Sequence, residues 1–132
     1  MELNPPLKDF YSKERFSAVQ AQRLAQEIAF APVVFQVSRL MVKFGIFRML
    51  DDCKEGMTID EVAQKANLSR YGAQVLLESS LTIGTVLLQN GRFVLAKAGW
   101  FLLNDKMAQV NMDFNQDVNY LGLFKLEESI LN

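Results

Sequence analysis

The hydrophobic and polar positions between residues 58 and 103 follow an order that predicts a winged helix-turn-helix. Thr58 and Glu61 form a capping-box pattern, in which each side chain can satisfy the other residue's backbone N–H at the start of a helix. Ser69 is expected to cap a second helix after a short turn. The first helix carries one apolar face, and the second carries another, so we expect the two to pack together.

A β-hairpin is predicted to follow these two helices. Asn90-Gly91 lies between two short apolar runs, and this dipeptide is typical of a tight two-residue hairpin turn. A short helix is expected over residues 98–103. Four apolar residues of the region are predicted to share one core: Leu76, Leu77, Phe93 and Trp100. The predicted fold class is mainly α with a small β-hairpin.

Two long helices are predicted before this module. The first is expected to begin after Ser12 and to end or kink at Pro32, because proline lacks the backbone donor and clashes with the preceding turn. The second is expected over Val33–Leu50, where apolar residues surround one narrow polar stripe. A surface helix needs an apolar stripe only about 100° wide. We therefore expect part of this helix to face a partner.

The excess of apolar residues in these helices predicts a two-fold homodimer. Ten Phe and six Met are many for one small core. The predicted interface residues are Phe16, Val19, Ile28, Phe30, Val33, Phe35, Leu40 and Phe44. By this interpretation residues 1–11 are an irregular lead-in and residues 12–103 are the dimerisation domain. Residues 104–132 are a polar linker with a C-terminal helix.

Composition and charge narrow the range of possible functions. The net charge is −1 and the pI is about 5.4, so the chain has no general attraction for phosphate or anionic lipid. No signal segment or apolar membrane span is recognisable, and the single Cys53 cannot form an internal disulfide. These features favour a soluble cytoplasmic protein without membrane contact.

The chain offers little for catalysis. It contains no histidine, so the commonest general base and metal ligand is missing, and no zinc site is expected. Asp51 and Asp52 should raise the pKa of Cys53 and make its thiol less reactive. The seven glycines form no phosphate-binding motif. We predict no catalytic, cofactor-binding or metal-binding residue, and no enzymatic activity of this chain alone.

A DNA-binding transcription regulator is the main alternative, because the second helix of a helix-turn-helix can enter the major groove. Such a regulator would have to use Arg70, Gln74 and Arg92. The second helix carries one Arg and one Glu, and thus no net charge. Specific binding needs several phosphate contacts, so nucleic acid is not expected to be a partner.

A series of segments also resembles a known family. In order they are Phe44–Leu50, Thr58–Ala63, Leu76-Leu77, Ile83-Gly84, Gly91–Leu95 and Gly99–Leu103. The series resembles the N-terminal winged-helix dimerisation domain of S-adenosylmethionine-dependent O-methyltransferases that act on small molecules. The resemblance covers residues 29–103. Glu78 and Ser80 depart from it, since relatives often carry Arg and an apolar residue there.

The resemblance implies a role in assembly. In such enzymes this domain pairs two subunits and helps to close the substrate cavity, while S-adenosylmethionine binds a separate C-terminal domain. Residues 123–131 resemble the segment that leads into that domain, which this sequence does not contain. A stand-alone dimerisation protein is a further alternative. The sequence does not reveal the methyl acceptor.

Overall fold

The computed structural model describes residues 2–132. The chain divides into two compact units: the first ends at Pro32, and the second runs from Val33 to Asn132. Ten α-helical segments and one two-stranded sheet lie within the described residues. The fold is thus mostly helical with a small antiparallel sheet, as the sequence predicted.

The first unit begins with helix α1, Pro5–Tyr11, so the prediction of an irregular lead-in was wrong. Proline is tolerated in the first turn of a helix, where the backbone N–H has no partner within the helix. The two prolines occupy the first two positions of α1. The side chain of Asn4 accepts a hydrogen bond from the Leu7 backbone N–H at 3.1 Å and caps the helix.

Helix α2 spans Ala18–Ala29 and begins later than predicted. Ser17 and Gln20 form its capping box, with side chain-to-backbone distances of 3.0 and 3.2 Å. Ser12, which was expected to start this helix, ends α1 instead. The helix stops just before Pro32, as predicted. Neither α1 nor α2 contains a buried residue.

The predicted helix Val33–Leu50 is two helices, α3 (Ala31–Lys43) and α4 (Ile46–Asp52). The break comes at Gly45, whose φ of 74° lies in the left-handed region. Residues other than glycine pay a steric cost there, so this glycine ends one helix and redirects the chain into the next. The apolar pattern continues across Gly45, so the sequence pattern did not predict this break.

The helix-turn-helix agrees with its sequence signals. Helix α5 spans Ile59–Ala66 and α6 spans Arg70–Ile83. The capping box of Thr58 with Glu61 is present, and the Ser69 hydroxyl caps α6 at 3.0 Å. The predicted inward residues of the second helix are all buried: Ala73, Leu76, Leu77 and Ser80.

The hairpin consists of β1 (Val86–Gln89) and β2 (Arg92–Leu95), paired antiparallel so that Gln89 lies opposite Arg92. Asn90 and Gly91 both have positive φ, 52° and 73°, as a tight turn of this kind requires. Met57 forms a bridge to Phe93 on the far side of β2. Helix, turn, helix and hairpin therefore form a winged-helix-like arrangement.

Helix α7, Lys97–Asn104, follows the hairpin as predicted, but Trp100 does not join the core. Its side chain is 45% exposed and stacks edge-on against Phe101. Gly99 and Leu103 are the buried residues of α7. The core itself contains these fully buried large side chains: Met41, Ile46, Phe47, Leu50, Val62, Leu77 and Val86.

The C-terminal part is almost entirely helical, which corrects the prediction of a polar linker. Helix α8 spans Lys106–Phe114, and one π-helical turn spans Asn115–Asn119. The remaining segments are short: α9 (Tyr120–Gly122), a 3₁₀ turn (Leu123–Lys125) and α10 (Leu126–Leu131). The frequent polar residues of this region concealed its helical pattern in the sequence.

Candidate dimerisation surfaces

Apolar side chains of the first unit point into solvent. Helix α2 has one apolar side, on which Ala21, Leu24, Ala25 and Ile28 recur at spacings of three and one residues; we call these four residues the α2 face. Ile28 is 67% exposed and Leu24 is 38% exposed. No residue of α2 is buried, and an exposed apolar helix face of this kind is typical of an interaction site.

The predicted interface residues of α2 do not all lie on this face. Val19 and Ile28 are nine residues apart, and at about 100° per residue they point to opposite sides of the helix. Both are strongly exposed, but one flat contact cannot include both. Phe16 and Phe30 flank the helix at its two ends and are also exposed.

The predicted residues of α3 also divide between two sides. Val33 and Leu40 are seven residues apart and therefore share one side. Val33 is exposed, and Leu40 is half-buried against the core. Phe44 follows the last residue of α3, remains hydrogen-bonded to the Leu40 carbonyl, and is partly exposed. This side of α3 is the second candidate surface.

Phe35 lies on the other side of α3 and is covered by its own chain. Its ring stacks on Tyr120 with a centroid distance of 5.4 Å. The neighbouring Gln36 donates a hydrogen bond to the side chain of Gln116 at 2.8 Å. These two contacts join α3 to the C-terminal helical region.

A further apolar surface was missed by the sequence analysis. Met107, Val110, Phe114 and Val118 recur at spacings of three, four and four residues and are all exposed; we call these four residues the C-terminal stripe. That helical spacing could have been found in the sequence. It was missed because many amide side chains lie between these four residues in the sequence.

The three residues proposed for DNA contact are all engaged within the chain. Arg70 Nε lies 2.9 Å from Asp60 Oδ1, and Gln74 donates to Glu78 at 2.8 Å. Arg92 Nη2 lies 2.7 Å from Glu61 Oε2. Arg70 and Arg92 are therefore each paired with a carboxylate of the same chain.

Cys53 shows no feature of a reactive thiol. Partial burial raises the pKa of Cys53, and the Glu55 carboxylate raises it further. The direction was predicted, but Asp51 and Asp52 are not the cause. The thiol donates to the Gly56 carbonyl at 3.3 Å. Among residues 2–132, no three metal-ligating side chains cluster.

A shallow cavity of about 240 Å³ is lined in part by Lys54, Lys97 and Trp100. Lys54 is already paired with Asp51 at 2.8 Å. The volume is below the usual range for drug-sized ligands, so this cavity is a weaker candidate than the apolar surfaces.

The fold is mostly helical, with one small antiparallel sheet. The model of the Dimerisation2-like domain matches residues 22–93, and the chain belongs to this family. No curated protein sequence matches the chain. Within residues 2–132, no helix is long and apolar enough to cross a membrane.

Solved structures share the fold at low identity. The S-adenosylmethionine-dependent methyltransferase SibL in its apo form gives a TM-score of 0.68 at 20% identity, covering 79% of this chain and 31% of that one. LepI in complex with SAM gives 0.71 at 16%, covering 93% and 31%. Human N-acetylserotonin methyltransferase in complex with SAM gives 0.68 at 19%, covering 90% and 36%. The chain thus spans about a third of the length of each of these structures.

Proposed function

We propose that this chain is the dimerisation domain of an S-adenosylmethionine-dependent O-methyltransferase that acts on a small molecule. It pairs two subunits and helps to close the substrate cavity, while the cofactor binds elsewhere in the parent enzyme. The family membership and the methyltransferases among the similar structures support this proposal. The chain by itself is not catalytic.

One observation carries the proposal: α1 and α2 bury no residue in their own chain. Isolated helices as short as these are marginal in water even with favourable sequences. Their apolar residues would be left in solvent by a monomer. Packing against a second copy supplies the tertiary contacts that α1 and α2 lack. This packing is the dimerisation that we propose for the domain.

Two surfaces are each proposed to face a partner: the α2 face in the first unit and the Val33 side of α3 in the second. Obligate homodimer interfaces are large and apolar, with roughly 2,000 Å² or more buried. Phe44, four residues after Leu40, extends the Val33 side of α3 beyond the end of that helix. Phe35 is not part of the proposed contact, because Tyr120 already covers it.

Sedimentation equilibrium at micromolar concentration tests the dimer. The unaltered chain should sediment with twice its monomer mass of 15.0 kDa. Ile28→Asp should dissociate it, because a carboxylate would be buried without a partner. Val19→Asp is the matched control on the opposite face of the same helix, and it should remain dimeric. A monomer mass for the unaltered chain would contradict the proposal.

The methyltransferase part of the proposal has its own test. The reading frame beyond Asn132 should encode a glycine-rich strand–turn–helix suited to a nucleotide cofactor. A stop codon directly after Asn132 would favour the stand-alone dimerisation protein instead. Calorimetric titration of this chain with S-adenosylmethionine should give no binding; stoichiometric binding would contradict the assignment of the cofactor to another domain.

A further inference from the structure

The small cavity of the second unit combines an apolar wall with a charged rim. It lies where the end of α4 meets the end of β2 and the start of α7, and α4 contacts both of the other elements. Five of its eight lining residues are apolar: Leu50, Val94, Leu95, Ala96 and Trp100. The other three are charged: Asp51, Lys54 and Lys97. A mostly apolar lining with a few polar groups is typical of a site for a small molecule.

Close packing fixes the backbone on one side of this cavity. The Ala96 backbone N–H donates to the Thr85 carbonyl at 3.1 Å, directly before α7 begins. Gly99 lies so close to the same carbonyl that a Cβ at this position would clash with its oxygen. The start of α7 is therefore packed against the base of the hairpin. This packing holds the cavity in shape before any ligand binds.

Lys97 brings a positive charge to the cavity that is not neutralised within the chain. No carboxylate of residues 2–132 forms an ion pair with it. Lys97 is also the first residue of α7, where the helix dipole disfavours a positive charge. The charge therefore does not stabilise its own helix. An anionic group in the cavity would give the Lys97 ammonium a partner.

The carboxylate that lines the cavity is already neutralised. Asp51 Oδ1 lies 2.8 Å from Lys54 Nζ, and Asp51 Oδ2 lies 3.9 Å from Arg48 Nη1. Because two cations already accompany this carboxylate, Lys97 leaves the rim with an excess of positive charge. A small anion is therefore attracted to the cavity, although Asp51 weakens that attraction.

Trp100 adds an aromatic surface to the apolar wall. Its side chain is 45% exposed, although indole is among the largest apolar groups in proteins. The Phe101 ring contacts it edge-on, with a centroid distance of 5.2 Å. Aromatic rings attract one another in offset and edge-on contacts. A ring placed in the cavity would contact the indole and the apolar wall together.

We propose that this cavity binds a small aromatic carboxylate, with the ring against Trp100 and the apolar wall and the carboxylate bound by Lys97 and Lys54. The volume of about 240 Å³ suits one ring with a short acidic group, since sites for drug-sized molecules measure roughly 300–1,000 Å³. An inorganic anion alone would leave the apolar wall unused, and a neutral ring would leave Lys97 unpaired. The inference does not depend on the proposed dimer, because every lining residue belongs to the second unit.

Tryptophan fluorescence tests the proposal directly, because the only tryptophan of the chain lines the cavity. Titration with benzoate at constant ionic strength should change the emission saturably, with a dissociation constant of about 1 mM or below. Benzamide keeps the ring without the charge, and acetate keeps the charge without the ring. Each should bind at least roughly tenfold more weakly than benzoate. No saturation by benzoate up to about 20 mM, or equal binding of benzamide or acetate, would overturn the inference.

Substitution of Lys97 tests the role of its charge. Lys97→Ala should weaken benzoate binding roughly tenfold, whereas Lys97→Arg should retain most of the affinity. Lys106→Ala is the matched control, because it removes the lysine that begins α8, just as Lys97 begins α7, and Lys106 does not line the cavity. This control should bind benzoate like the unaltered chain. An unchanged affinity in Lys97→Ala, or an equal loss in Lys106→Ala, would contradict the proposal.

Asp51→Asn should strengthen benzoate binding several-fold, because it removes the lining carboxylate and releases Lys54. A damaged fold does not produce a gain in affinity. Unchanged or weaker binding by this variant, with its helical signal retained in circular dichroism, would contradict the assignment. Amide NMR spectra of the unaltered chain locate the ligand: benzoate should shift the resonances of residues 94–97 most. Shifts confined to other residues would place benzoate elsewhere and refute the site.

Discussion

Glu61 and Arg92 join the start of α5 to the first residue of β2. Arg92 Nη2 donates to Glu61 Oε2 at 2.7 Å, and the same oxygen accepts the Thr58 backbone N–H at 2.9 Å. Arg92 also donates from Nε to the Gly56 carbonyl at 3.1 Å. One carboxylate thus caps a helix and anchors the hairpin against it.

These contacts predict a pH-dependent contribution to stability. The Thr58 backbone N–H and then Arg92 hold the pKa of Glu61 below its ordinary value. The unfolded value is about 4.3, so the contribution is fully present above that pH and is lost as the pH falls through the lower folded pKa. Glu61→Gln should therefore lower the urea midpoint at pH 7 and have little effect near pH 3. The same difference between the two proteins at both pH values would contradict this account.

The buried environment of Ser80 predicts that replacing it with alanine stabilises the fold. Its side chain is fully buried in α6, and its hydroxyl finds no hydrogen-bond partner among residues 2–132. Burying an unpaired hydroxyl is costly, and alanine is also the better helix former. Ser80→Ala should raise the free energy of unfolding by about 1 kcal/mol in urea titration. Thr82→Ala is an exposed control in the same helix; an equal gain there would attribute the effect to helix propensity alone.

Trp100 should contribute less to stability than its size suggests. Because its side chain is nearly half exposed, Trp100→Ala should cost about 1 kcal/mol. Leu77→Ala removes a fully buried side chain and should cost about 2–5 kcal/mol. Chemical denaturation followed by circular dichroism measures both. A larger loss of unfolding free energy for Trp100→Ala than for Leu77→Ala would indicate that the indole belongs to the core.

Substitutions at Phe35 and Val33 should affect the stability of the fold and the dimer separately. Phe35→Ala removes the ring that stacks on Tyr120 and should cost about 1–2 kcal/mol of unfolding free energy. The chain should nevertheless remain dimeric in sedimentation, because this side of α3 is already covered. Val33→Asp, on the exposed side, should have the reverse effect: a weaker dimer with most of the helical signal retained. Dissociation by Phe35→Ala would restore Phe35 as an interface residue.

The sequence predicted the middle of the chain well because its signals there are local. A capping box and an Asn-Gly turn fix backbone geometry within a few residues, whatever the rest of the fold does. Gly45 was different: its left-handed φ breaks a helix inside a continuous apolar pattern, and periodicity alone does not register such a break. Residues 1–11 were predicted to be irregular, although two prolines in a first turn also permit a helix.

Composition alone could not show which residues form the candidate surfaces. Excess apolar residues predicted that some side would face a partner. Which side does so follows from tertiary contacts such as Phe35 with Tyr120, between residues distant in sequence. The C-terminal stripe was missed because the polar residues between its members conceal their helical spacing. The family membership of residues 22–93 supports assembly, and the interface residues themselves stay a prediction.

The paired cations predict that the chain binds DNA weakly and without sequence preference. Arg70 is held by Asp60 and Arg92 by Glu61, so phosphate contact would require both ion pairs to be given up. With so few cations to displace counterions, the affinity should be weak and its dependence on salt shallow. A gel-shift titration should find no nanomolar complex with duplexes of varied sequence. Asp60→Asn is the informative variant, because it releases Arg70 while leaving the fold intact, and it should raise non-specific binding only slightly. Nanomolar, sequence-dependent binding that is lost on Arg70→Ala would instead support a transcription regulator.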